Sequence, residues 1–91
     1  MIVDATVLKA GYFFIGHHGV GNFKLTIGYS TITIKVDQRQ SLSRLLLVLG
    51  MDDENGVYLH DVEGKFCRLE YDNKMSLLRV GHITKDIWFN V

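Results

Sequence analysis

Two stretches of strict alternation with opposite parity constrain this chain more than any other feature. Phe23, Leu25, Ile27 and Tyr29 alternate with Asn22, Lys24, Thr26 and Gly28; after Ser30 the apolar positions become Ile32, Ile34 and Val36, between Thr31, Thr33 and Lys35. A period of two is the mark of a strand with one buried face. A slip of one residue flips every side chain to the other face, so a turn or bulge is predicted near Tyr29-Ser30. Upstream, Ile2-Val3-Asp4-Ala5-Thr6-Val7-Leu8 is β-branched and roughly alternating. It predicts a first strand continuing, after an irregularity at Gly11, through Tyr12-Phe13-Phe14-Ile15. Gly16-His17-His18-Gly19-Val20-Gly21 reads as a hairpin loop. The first third is therefore expected to be a β-meander.

Beyond Asp37 the pattern changes to a leucine-rich segment, Ser41 to Leu49, closed by Gly50. These are good helix formers; Ser41 or Asp37 can cap the start, and Gly50 suits the left-handed position after the last turn, with Met51 folding back onto Leu46. The apolar face is wide, which predicts a helix buried across one face of the sheet, against Phe23, Leu25 and Ile27 or against Ile32, Ile34 and Val36. Val57, Tyr58, Leu59 and Val62 suit a short helical turn. Gly64 then introduces a strand, Lys65 to Tyr71, joined through Asp72-Asn73-Lys74 to a second one, Ser76 to Ile83. Trp88 and Phe89 follow close behind, and aromatics so placed must dock into the core or serve a contact. With 91 residues there is room for one domain. The expectation is a single α+β domain over residues 1–91, an antiparallel meander sheet of about five strands (β-β-β-α-β-β) with one buried helix packed on one face.

Charge narrows the function. Ten Lys and Arg balance ten Asp and Glu, which removes the electrostatic basis for direct DNA binding or for an anionic membrane. The distribution is uneven: residues 1–44 hold five bases and two acids, residues 45–63 five acids and no base, residues 64–91 five bases and three acids. One cysteine supplies neither an internal disulfide nor a thiolate zinc cluster, which suits a reducing compartment. Met1 to Ala10 carries Asp4 and Lys9 and predicts no signal peptide, and no stretch approaches the roughly 18 apolar residues of a membrane span. A cytoplasmic protein without cofactor or metal is expected.

Few residues carry recognisable chemistry. His17 and His18 invite a metal or phosphate reading, but neighbours on an extended chain point to opposite faces, and the glycines around them form no phosphate loop. Gly64-Lys65-Phe66-Cys67-Arg68-Leu69-Glu70-Tyr71 partly matches the first ribonucleoprotein motif, yet Phe66 and Tyr71 have opposite parity and cannot form one stacking platform. Cys67 would need His60 or His82 as a base to act as a nucleophile; no catalytic residue is assigned and no enzyme is expected. The binding candidates are Arg68, Arg79, His82 and Lys85, which could take phosphates, with Tyr71 or Trp88 stacking on a base. Used together, they describe the alternative to a protein-binding module: a homo-oligomer that holds a nucleotide ligand in an interface pocket.

Three segments carry a resemblance: Leu45-Leu46-Leu47-Val48-Leu49-Gly50-Met51-Asp52, Val62-Glu63-Gly64-Lys65-Phe66-Cys67-Arg68-Leu69, and Val80-Gly81-His82-Ile83-Thr84-Lys85-Asp86-Ile87-Trp88-Phe89. Together they resemble small accessory proteins of bacteriophages and prophages of Gram-positive bacteria. Those proteins open with a strand like Val3-Asp4-Ala5-Thr6-Val7 and close with a Gly-His-Ile-x-Lys-Asp-x-Trp-Phe signature. The match spans about half the chain, and Thr31 to Val36 departs from it, standing where a glycine-rich connection precedes the helix. The resemblance implies a protein that acts by binding a host protein or defence complex in the bacterial cytoplasm, foremost as an inhibitor of a CRISPR effector. The alternative it leaves is an oligomeric binder that sequesters a defence signalling nucleotide.

Overall fold

The computed structural model describes residues 1–15, 20–35, 38–51 and 59–91. The expectations placed on Gly16, His17, His18, Gly19, Val36, Asp37, Val57 and Tyr58, and the acids Asp52, Asp53 and Glu54 counted above, lie outside the described residues.

The fold is α+β. The strands are β1 (Ile2–Ile15), β2 (Val20–Ile27) and β3 (Ser30–Lys35); the helices α1 (Arg39–Val48) and α2 (Leu59–Val62) follow, then β4 (Phe66–Tyr71), β5 (Leu77–His82) and β6 (Trp88–Asn90). They form one antiparallel sheet in the order β3-β2-β1-β4-β5-β6. Among the described residues there are six strands rather than five, because the three residues of β6 are too few to announce a strand by periodicity. The meander of the first third is present, but β1 is also the junction with the second half.

That junction depends on one irregularity in β1. Its first half pairs with β4, from Ile2↔Glu70 to Thr6↔Phe66; its second half pairs with β2, from Val7↔Ile27, then Lys9↔Thr26, to Ile15↔Val20. The register shifts between Val7 and Lys9. Val3, Ala5 and Val7 face the core before the shift and Ala10 after it, which leaves Leu8 60% exposed. A bulge adds a residue and bends its strand, so the irregularity expected at Gly11 sits three residues earlier. Past the end of β4, Ala10 N donates to Glu63 Oε1 at 3.2 Å, which satisfies a donor on that side of β1.

The predicted turn between the alternating strands joins Ile27 to Ser30 through Gly28 and Tyr29. Gly28 is left-handed at φ 58, as a tight hairpin demands. Tyr29 is part of that turn and fully exposed, so it does not continue the row of Phe23, Leu25 and Ile27, all buried. The sheet curls toward a half-barrel, with Tyr71 Oη and Ser30 Oγ sharing a hydrogen bond of 3.1 Å between the end of β4 and the start of β3.

Helix α1 packs against β3, β5 and β6. Leu45, Leu46, Val48 and Leu49 join Phe23, Leu25, Ile27, Ile32, Ile34, Leu69 and Val80 in one cluster, so both parity rows supply the core. The helix begins at Arg39, two residues before Ser41. Gln38 takes the N-cap position without a side-chain bond, because Gln38 N donates to Lys35 O at 2.9 Å and turns the chain directly out of β3. At the other end Gly50 is left-handed at φ 78, Gly50 N donates to Leu47 O and Met51 N to Leu46 O, both at 2.9 Å. This is the paired closure that satisfies the last carbonyls of a helix. Among the described residues no helix is long and apolar enough to cross a membrane.

Leu46 is 5% exposed within this cluster. Leu46→Ala is expected to lower unfolding free energy by about 2–5 kcal/mol in chemical denaturation; a loss below about 1 kcal/mol would remove this face of α1 from the core.

Candidate functional site

The closing segment assembles around a missing side chain. Strand β6 pairs with β5 through Gly81↔Trp88, Val80↔Phe89 and Arg79↔Asn90. Alternation sends Phe89 inward beside Val80 and Trp88 outward beside Gly81. The indole lies so close over Gly81 that an added Cβ would stand 2.5 Å from Trp88 Cζ3. Only glycine fits beneath it.

Two guanidinium groups complete the stack. Arg68, opposite Gly81 on β4, lies 4.7 Å from the indole centroid, and Arg79 lies 4.1 Å from it. At partly exposed sites such contacts are worth about 0.5–1 kcal/mol each. Arg79 Nε donates to Glu70 Oε1 at 2.5 Å, and Trp88 Nε1 donates to Asp86 Oδ1 at 2.7 Å. Arg68 is committed to the loop between β5 and β6: its Nε donates to His82 O and its Nη2 to Lys85 O, both at 2.7 Å. Arg44 of α1 donates to Trp88 O at 3.3 Å and ties the helix to the same edge.

His82 organises the loop from the other side of the sheet. It pairs with Cys67 in register, so it points toward α1 rather than toward Arg68. Its Nδ1 accepts the backbone N–H groups of Thr84 and Lys85, each at 3.1 Å, and His82 N donates to Ile87 O at 2.9 Å. An atom that accepts two amide protons carries none itself, so the neutral ring's proton is on Nε2. The signature residues Gly81, His82, Lys85, Asp86, Trp88 and Phe89 thus each have a structural part in one closed turn.

Of the six binding candidates, five gather here, but on two faces. Arg68, Arg79 and Trp88 stand on the outer face, whereas His82 and Lys85 line a cleft of about 250 Å³ with Leu47, Gly50, Met51 and Ile87. Tyr71 does not join them: it is on the inner face, its hydroxyl engaged with Ser30. Parity is the reason, since Tyr71 is three residues from Arg68 and His82 three from Arg79. One pocket that uses all six residues on a nucleotide is not formed.

Cys67 is wholly buried. Burial, with the nearby charge of Asp4 adding to it, pushes its thiol up to about 11, which keeps it protonated at neutral pH. His60 is exposed beside Asp61 at 3.2 Å, and His82 Nδ1 is already occupied. Among the described residues no three His, Cys, Asp or Glu side chains come together to hold a metal.

Reasoning from the sequence passed over Phe66 as a surface residue. It is 65% exposed, opposite Thr6 and diagonal to Leu8. The signal was available: Phe66 shares its parity with Arg68 and Glu70, an aromatic in an otherwise polar row. Comparison with protein-family models, with curated proteins and with solved structures finds no match to this chain.

Trp88 is the only tryptophan, so its fluorescence reports on the stack alone. Gly81→Ala is expected to displace the indole, shift its emission and cost about 1–3 kcal/mol; an unchanged spectrum and stability would contradict the contact. For Cys67 the folded thiol titrates at about 11 against 9.0 for a free one. The folded state therefore holds its proton longer, and this contribution to stability is complete below pH 9 and lost as pH rises toward 11. Denaturation curves at pH 8 and pH 10.5 should show a loss at high pH that Cys67→Val reduces; equal losses in both proteins would contradict it.

Proposed function

We propose that this chain acts by binding a protein partner through the outer face of β1, β4, β5 and β6. In this reading it is a phage or prophage accessory protein in the bacterial cytoplasm that restrains a host defence complex, with a CRISPR effector as the leading target class. The observation that supports binding is Phe66, an exposed aromatic beside Leu8 at one end of a face whose centre is the Arg68–Trp88–Arg79 stack and whose other end is Ile2. Trp and Arg are the residue types that most often dominate interface energy. Here they are already fixed by hydrogen bonds, so little side-chain entropy remains to be lost on association. The class of target rests on the resemblance of the closing signature to phage accessory proteins.

The nucleotide reading has less behind it. The guanidinium groups of Arg68 and Arg79 are engaged with carbonyls and with Glu70, and Tyr71 is elsewhere. Screening by thermal shift against cyclic and ADP-ribose-type nucleotides separates the two: at about 100 times Kd a ligand should add about 2.7 kcal/mol of stability.

The direct test is isolation of the tagged chain from a Gram-positive host carrying defence systems, with the mass of the complex read by light scattering. A stoichiometric complex with a host protein is expected, and Phe66→Glu should abolish it while circular dichroism and Tm stay unchanged. A complex that survives Phe66→Glu, or a mass equal to two copies of this chain that the variant halves, would overturn the reading of this face as the host-protein contact.

A further inference from the structure

The cleft between the last turn of α1 and the β5–β6 loop is on the opposite side of the sheet from Phe66, and nothing in the outer-face reading uses it. Its wall is apolar, made of Leu47, Met51 and Ile87, and its polar groups are His82 and Lys85. The described residues that line it include no acid.

Both polar groups present donors. His82 Nδ1 is held as an acceptor by Thr84 N and Lys85 N, so its N–H is at Nε2. That atom stands over Gly50, 3.8 Å from where a Cβ would be, and Gly50 lines the cleft. The edge of the imidazole that carries Nε2 therefore borders the cleft. The Lys85 backbone is fixed at both ends, its N–H on His82 and its carbonyl on Arg68, while the Lys85 ammonium has no partner among the described residues. The loop bearing these two donors is pinned by Arg68 at His82 O and Lys85 O and by the His82 N to Ile87 O bond. These restraints set the His82 ring beside the apolar wall and fix the backbone from which the Lys85 side chain reaches the same cleft.

We propose that this cleft binds a carboxylate with a compact aliphatic body, the carboxylate bridging His82 Nε2 and Lys85 Nζ and the aliphatic group covering Leu47, Met51 and Ile87. At about 250 Å³ the space is below that of a drug-sized pocket and suits one side chain with its carboxylate. The C-terminal end of α1 lines the cleft and its dipole opposes an anion there, an effect reduced because two of its carbonyls are satisfied by Gly50 N and Met51 N. Charge-assisted hydrogen bonds from the His82 N–H and the Lys85 ammonium to one carboxylate are the stronger effect. A polypeptide C terminus and a free short-chain acid share this chemistry.

The experiment is a titration of the ¹⁵N-labelled protein followed by amide and imidazole shifts, using N-acetyl-leucine as the probe and N-acetyl-leucinamide as its uncharged counterpart. N-acetyl-leucine should give saturable shifts at Gly50, Thr84, Lys85 and the His82 ring. The amide should bind about 10-fold more weakly, and Lys85→Gln and Leu47→Ser should each weaken the acid by about 5-fold or more. Phe66→Glu should leave binding unchanged, so this site stands or falls apart from the outer face. A pentapeptide ending in leucine that binds more tightly than 4-methylpentanoate assigns the cleft to a chain terminus; the reverse order assigns it to a free acid. Shifts that do not saturate, equal affinity for acid and amide, or full affinity in Lys85→Gln would overturn the proposal.

Discussion

The architecture depends on one extra residue in a long strand. β1 runs for 14 residues and pairs with β4 along one half and β2 along the other. A strand that long and perfectly regular would present one parity throughout and keep the sheet open. The bulge between Val7 and Lys9 reverses the parity, so that Val7 and Ala10 both face inward, and it bends the strand where its partners change. The curl that lets α1 contact both β3 and β5 follows from that bend. So does the exposure of Leu8 next to Phe66, which makes the outer face apolar at one end.

At the other edge the structure turns on a missing methyl group. Gly81 admits the indole, the indole gathers Arg68 and Arg79, and Arg68 in turn fixes the carbonyls of the loop that His82 caps from within. Each contact is modest. A surface cation–π pair or a hydrogen bond contributes about 1 kcal/mol. Their joint effect is to give a short loop a single geometry, which is what a recognition surface requires of its supporting groups. The same loop faces two ways, with Arg68, Trp88 and Arg79 outside and His82 and Lys85 toward α1.

Much of this was legible in the residues. The alternating rows of Phe23 to Ile27 and of Ile32 to Ile34 predicted their strands because each buries one face, and Gly50 predicted the end of α1 because few other residues take that conformation. The bulge at Leu8 was hidden because Val7 and Leu8 are both apolar, so hydrophobicity alone does not say which one turns outward. β6 was hidden because three residues carry no period; it exists through pairing with β5 and the fit of Trp88 on Gly81. The sorting of Arg68 and Arg79 from Tyr71 and His82 was readable from parity along β4 and β5, whereas the partners Glu70 and Asp86 depend on register across strands and turn geometry that sequence does not supply.

The central claim is that the β5–β6 loop is a single pre-formed structure rather than a flexible connection. Backbone ¹⁵N relaxation at Thr84, Lys85 and Asp86 tests it directly. Order parameters near 0.85, those of rigid backbone, are expected for the amides of these exposed residues. Values below about 0.6 would contradict it, because a loop that moves on the nanosecond timescale holds neither the Trp88 stack nor the His82 cap in one place.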